Sequence, residues 1–196
     1  MKRWFALSAI GRDRPGIVAD LAELIYECDC NLEDSSMTIL GSEFAVLLLL
    51  TGEPRSPGGH APESHPIEGA DVEARLSAAC KRLEWEKRLT VFFRPLDGEP
   101  LAFGVSHHAR PFELQAVGVD KAGIVARIAR CLAAHTVNIT HMSTASRPEP
   151  GTGTPIYHMQ IRMDVPQAVD EGALRHELDG VAAALNIDLT LQAAPR

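Results

Sequence analysis

Apolar residues along this chain follow two rhythms, one repeating every three to four residues and one every second residue, and the succession of rhythms occurs twice. Ile17, Leu21, Leu24, Ile25 and Cys28 stand at i, i+4, i+7, i+8 and i+11, the buried stripe of an amphipathic helix. Val72, Leu76, Ala79 and Leu83 mark a second stripe. Around them Trp4–Ile10, Leu32–Leu40, Phe44–Leu50 and Leu89–Phe93 read as strands, with Gly41-Ser42 as a hairpin turn. In the second half, Phe112–Val119, Asn138–Ser146 and Tyr157–Val165 read as strands. Ile124, Ile128, Cys131, Leu132 and His135 form one helical stripe, and Leu174, Leu178, Val181 and Leu185 form another. Each half therefore predicts strand, helix, strand, strand, helix, strand. With right-handed crossovers such a unit places both helices on one face of a four-stranded antiparallel sheet. The expected fold is α+β: two ferredoxin-like βαββαβ modules. One difference stands out. Phe44–Leu50 is apolar at every position, which predicts a strand covered on one side and abutting another layer on the other, whereas Tyr157–Val165 alternates and predicts one wet face.

The two halves are also copies in sequence. Gly11-Arg12-Asp13-Arg14-Pro15-Gly16-Ile17-Val18-Ala19 returns as Gly118-Val119-Asp120-Lys121-Ala122-Gly123-Ile124-Val125-Ala126, an offset of 107 residues that holds through Ala22/Ala129, Asn31/Asn138 and Ser36/Ser143. The second-helix stripes are offset by 102, so the long loops fall in different places. The Gly/Pro/Ser/His-rich stretch 52–69 precedes the second helix of the first module, and 147–154 lies inside the hairpin of the second. The expected organisation is a first module over 1–94, a linker over 95–110 and a second module over 111–196.

Composition narrows the function classes. Over 196 residues the net charge is −7, with no basic block, which argues against a phosphate-contacting surface and hence against direct DNA binding. The apolar start of the chain is short, lacks a small-residue cleavage site and fills a strand's place, so it reads as neither leader nor membrane span. Cys28, Cys30, Cys80 and Cys131 have neither metal nor redox spacing and read as reduced cysteines of a cytoplasmic protein. No catalytic, cofactor or metal motif is readable. His107-His108 adjoin, and His141 and His158 could face each other across a hairpin, but nothing fixes the three or four converging ligands a metal needs.

The Gly-x-Asp-x-x-Gly-Ile-Val-Ala segment, followed by a helix and by an Asn that opens the next strand, resembles the ACT domain, a small-molecule-binding regulatory module. The resemblance covers nearly the whole chain, twice, and the tandem arrangement resembles the glycine-cleavage-system transcriptional repressor family. It implies that an amino acid binds between the loop ahead of the first helix and the start of strand two, often at the junction of two modules. It also implies a protein sensing glycine or a similar amino acid and restraining a separate DNA-binding transcription activator through protein contacts. Related modules pair through sheet edges or helix faces, which implies a homodimer.

The residues support binding on their own chemistry. The turn before each helix ends at unpaired backbone N–H groups carrying partial positive charge, a place for a carboxylate. The candidate site residues are Asp13, Arg14, Pro15, Gly16, Ile17 and Asn31 in the first copy and Asp120, Gly123, Ile124 and Asn138 in the second. Asp13 and Asp120 can accept from a ligand ammonium, or can cap the helices. Gly16 and Gly123 let a ligand approach the backbone, or permit tight helix–sheet packing. Asn31 and Asn138 offer both a donor and an acceptor to an amino acid, or supply a left-handed turn. Arg12 and Arg14 read as solvated loop charges, and Pro15 as a first-turn proline. Because Val119 and Lys121 replace the two arginines, the first module is the better candidate if only one binds an anion.

Three functions compete: an amino-acid-responsive regulator, a structural adaptor or dimerisation module without ligand binding, and a detached regulatory subunit of an amino-acid or folate enzyme. A similar motif precedes the hydrolase domain of formyltetrahydrofolate deformylases; here the sequence stops at residue 196, after the second repeat, and no such domain is expected.

Overall fold

A computed structural model describes residues 2–53, 71–100 and 109–194. It divides into two compact units, Met1–Leu101 and Ala102–Arg196. The first contains β1 (Arg3–Arg12), α1 (Ile17–Glu27), β2 (Cys30–Leu40), β3 (Glu43–Gly52), α2 (Val72–Lys87) and β4 (Thr90–Leu96). The second contains β5 (Ala109–Val119), α3 (Ile124–Ala134), β6 (Asn138–Pro148), β7 (Pro155–Pro166), α4 (Glu171–Leu185) and β8 (Ile187–Ala193). The sheets are four-stranded, ordered β2-β3-β1-β4 and β6-β7-β5-β8, and every pairing is antiparallel. This is the predicted α+β architecture. Strands reach further than their hydrophobic runs, so β4 and β5 take up both ends of the stretch expected as linker. Most of the loop expected over 52–69 lies outside the described residues.

The helical stripes are buried as predicted. In the first module Ile17, Leu21, Leu24, Ile25, Val72, Leu76, Ala79 and Leu83 pack onto Phe5, Leu7 and Ala9 of β1 and Phe44, Val46, Leu48 and Leu50 of β3. Each large side chain buried there contributes about 1.5–3 kcal/mol. The second core repeats the pattern with Ile128, Leu132, Leu174 and Leu178 over Phe112, Leu114, Ile161 and Met163. Val181 is only partly buried, and Ala182 takes the inward place beside it.

Among the described residues, the first module supplies no layer on the far side of β3. Leu47 is 54% exposed, and Ile10 and Phe92, on the same side of the sheet, are 52% and 72% exposed. The four cysteines are free; Cys28, Cys80 and Cys131 are buried and Cys30 half-buried. Burial pushes the Cys28 thiol up to about 11 and those of Cys30 and Cys80 up to about 12. They are packing residues rather than nucleophiles.

Candidate functional site

In both modules the first strand ends in a four-residue turn that leads into the first helix. Gly16 and Gly123 occupy the helix N-cap with φ of 91° and 97°, a left-handed backbone that L side chains rarely adopt. Crowding is not the reason for glycine here. A Cβ on Gly16 would meet only Arg14 Nη1 at 3.9 Å, and one on Gly123 nothing within 4 Å. Close packing is instead the duty of the first glycine of each motif copy, Gly11 and Gly118, where a Cβ would come within 2.6 Å of Leu89 Cδ2 and Ile187 Cγ2 respectively.

The first intrahelical bonds run from the Asp20 N–H to the Gly16 carbonyl (2.9 Å) and from the Arg127 N–H to the Gly123 carbonyl (3.0 Å). The N–H groups of Ile17–Ala19 and Ile124–Ala126 thus precede the ladder, and no side chain caps either helix. Asp13 and Asp120 are therefore not caps. Their backbone N–H groups donate to the Ser42 carbonyl (2.8 Å) and the Pro155 carbonyl (3.0 Å), fastening each loop to the neighbouring hairpin. Ser42 carried no sequence signal beyond its hairpin turn. Asp13, Pro15, Gly16, Asp120 and Gly123 are exposed, whereas Ile17 and Ile124 are buried and anchor the helices in the cores. Pro15 lies ahead of the N-cap, in the turn and not in the first helical turn.

Arg14 is no solvated charge. Its Nη2 donates to Asp20 Oδ2 at 2.6 Å, and Lys87 Nζ reaches Asp20 Oδ1 at 3.0 Å. Arg14 first, then Lys87, hold the Asp20 carboxyl below its ordinary range. Arg14 is thereby committed to its own helix. The position matching Asp20 in the second module is Arg127, which is exposed, as is Lys121. That removes Arg14, though not the exposed Arg12, from the charge argument favouring the first module.

The asparagines lie elsewhere. Asn31 pairs with Thr51, which pairs with Trp4 near the start of β1, whereas the loop follows the end of β1 at Arg12. At about 3.4 Å per residue the two stand roughly 25 Å apart within one module, too far for one small amino acid to touch both. Asn138, opposite Asp164, is placed equivalently. Neither asparagine supplies the left-handed turn, which falls on Asp29 and Thr136 (φ 54° each). Asn31 Nδ2 donates to Glu33 Oε1 (3.3 Å), which also accepts from Thr51 Oγ1 (2.6 Å) and meets Lys2 Nζ at 2.8 Å. Lys2 foremost, then Thr51 and Asn31, hold the Glu33 carboxyl down at about 2.

The described histidines do not converge. His141 lies opposite Arg162 and His158 opposite Ala145, so they do not face each other. His135 is partly buried at the end of α3, with Nε2 3.1 Å from Glu177 Oε2. His107 and His108 lie outside the described residues. Among the described residues no group of three or more His, Cys, Asp or Glu side chains could hold a metal ion.

Residues 4–91 match the family model described as an ACT domain, and residues 109–194 repeat the same topology. Residues 4–91 form an ACT domain, and the second unit repeats its fold. Over 185 residues it is 25% identical to the glycine cleavage system transcriptional repressor of Escherichia coli (strain K12), spanning 94% of this chain and 87% of that relative. Two solved structures share the tandem ACT fold. One is an unknown protein from Galdieria sulphuraria, with a TM-score of 0.71 and 22% identity over the whole of both chains. The other, provisionally named a glycine cleavage system transcriptional repressor, has a TM-score of 0.70 and 20% identity over 100% of this chain and 99% of that one.

Proposed function

We propose that this protein is a non-enzymatic, amino-acid-responsive regulator that controls transcription of glycine-cleavage or related amino-acid genes through a protein partner rather than by touching DNA. The observation that carries the reading is the pair of helix N-termini, each behind a left-handed glycine and capped by no side chain. Three backbone N–H groups there offer a carboxylate hydrogen bonds and the positive end of a helix dipole. The free carboxylate of Asp13 or Asp120, in the same turn, suits the ammonium end of the same zwitterion. The effector is glycine or a similar small amino acid, and the partner is a DNA-binding activator. The likeness to relatives named as transcriptional repressors supports the regulatory role, and the negative charge supports indirect action. The working form is a cytoplasmic homodimer; none of the described helices is long and apolar enough to cross a membrane.

Size limits the affinity. At about −1.5 kcal/mol per non-hydrogen atom, glycine binds no tighter than the micromolar range, as suits a sensor of an abundant metabolite. A thermal-shift series over the amino acids tests the reading, since a ligand of the folded state raises Tm above its Kd. Stabilisation by one small amino acid, lost in Asp13→Ala combined with Asp120→Ala without loss of fold, is the expected result. If no amino acid shifts Tm even at tens of millimolar, the adaptor reading takes its place.

A further inference from the structure

The sheet of the first module has a second face, turned away from α1 and α2, that the ligand-binding reading does not use. Cross-strand pairing lays it out in rows. One row reads Asp34, Leu49, Ala6, Arg94 across β2, β3, β1 and β4. The next reads Ser36, Leu47, Ser8, Phe92, and the third Thr38, Ala45, Ile10, Thr90. Leu47, Ile10 and Phe92 are each more than half exposed. A contiguous apolar patch of this kind on a soluble domain marks an interaction surface.

We propose that this face packs against the same face of a second copy of the chain, about a two-fold axis parallel to the strands. Such an axis reverses each row onto itself. Asp34 then lies opposite Arg94 of the partner, and Arg94 opposite the partner's Asp34, so both charges at the patch margins are paired across the interface. In the middle of the rows large residues meet small ones: Leu49 meets Ala6, Leu47 meets Ser8 and Ile10 meets Ala45. That alternation lets two sheet faces interdigitate at the ordinary spacing of about 10 Å. An axis along the middle row leaves Asp34 and Arg94 facing threonines and sets Leu47 on Leu47.

The second module's equivalent face is of the wrong chemistry to be the occupant. There Glu113 accepts from Gln115 (2.8 Å) and Gln160 (2.7 Å), and Arg162 lies in register with Glu113 and His141. Of the two outward sheet faces, the mainly apolar one is the first module's own; the second keeps only Val117 and Val119 as exposed large apolar side chains. Four strands about 4.8 Å apart and seven residues deep measure roughly 20 Å by 20 Å, less than the ~800 Å² per partner of a tight complex. The dimer is accordingly reversible and concentration-dependent.

Sedimentation velocity of the full chain from 1 to several hundred micromolar, without amino acids, tests this independently of any effector. The expected result is a monomer–dimer equilibrium weakened at least tenfold by Leu47→Lys and by Arg94→Asp, with Asp34→Arg restoring association to the Arg94→Asp variant. Circular dichroism confirms that the variants fold. Ser8→Trp, which fills the place opposite Leu47 with a different chemistry, is expected to weaken association as well. A chain that stays monomeric throughout overturns the proposal, as does a dimer indifferent to Leu47→Lys and Ser8→Trp. Failure of the charge exchange to rescue overturns the strand-parallel axis.

Discussion

The two sheets of this protein share topology, register and a glycine-initiated helix, yet one outward face is mainly apolar and the other mainly polar. Leu7 and Leu114 stand at equivalent positions and both are fully buried. One residue earlier, Ala6 corresponds to Glu113, and one residue later Ser8 corresponds to Gln115. On the neighbouring strand Leu48 pairs with Leu7 as Ile161 pairs with Leu114, which sets Leu47 and Leu49 against Gln160 and Arg162. The inward residues are held to apolar identities by the helices packed over them, because a change of one methylene there is felt through the whole core. The outward residues answer only to what lies beyond the sheet. The polar face of the second module bonds within itself, through Glu113 and its two glutamines. On the outward face of the first module such bonding is confined to the margin, at Thr51 and Glu33, and Leu47, Ile10 and Phe92 stay exposed. On the proposals made above, modules of the same fold carry one shared duty at the helix N-terminus and separate duties on their sheets.

The largest effect that can sharpen this comparison lies where both modules need a bare backbone. Gly11→Ala and Gly118→Ala are each expected to destabilise the module that holds them, by about 1–3 kcal/mol, measured by urea unfolding. Gly118→Ala should be the worse. Its new Cβ meets the Cβ and Cα of Ile187 at 3.0 and 3.1 Å, whereas Gly11 is crowded chiefly by the far end of Leu89. Equal and negligible costs would show that the first motif glycine has no packing duty.

A smaller effect separates the modules by pH. Lys2, Thr51 and Asn31 hold Glu33 at about 2, against an ordinary 4.5. A carboxyl depressed on folding contributes stability that is fully present above its unfolded value and is lost as pH falls through its folded value. The loss therefore falls between about pH 4.5 and 2, and it is slight and salt-sensitive because the group lies at the surface. Thr140 occupies the equivalent place in the second module, so no such contribution exists there. Carboxyl NMR titration should place the Glu33 midpoint near 2; a midpoint near 4.5 would mean that the ion pair with Lys2 does not form.

Much of this was legible in the sequence. The helical stripes, the duplicated motif and the all-apolar β3 gave the fold, the module count and the uneven sheet faces, because each is a periodic demand of burial. What could not be read was set by contacts between distant positions. Arg14 looks solvated until Asp20, six residues on, and Lys87, at the end of the other helix, are brought together. Asn31 looks like a neighbour of the loop because it follows the helix, but the helix carries the chain back to the far end of the sheet. The left-handed turns at Asp29 and Thr136 involve residue types with no common signature. Gly16 and Gly123 read equally as open to a ligand or as tightly packed; the open space around them excludes the packing, and their left-handed backbone is a reason for glycine that the sequence does not show.

Amide NMR of the intact chain, titrated with glycine and then with the other small amino acids, tests the central claim most directly. The account predicts that one small amino acid shifts the N–H resonances of Ile17–Ala19 or Ile124–Ala126, saturating at a micromolar or weaker Kd. Saturable shifts confined to other regions, or none at those six amides for any amino acid, would contradict it.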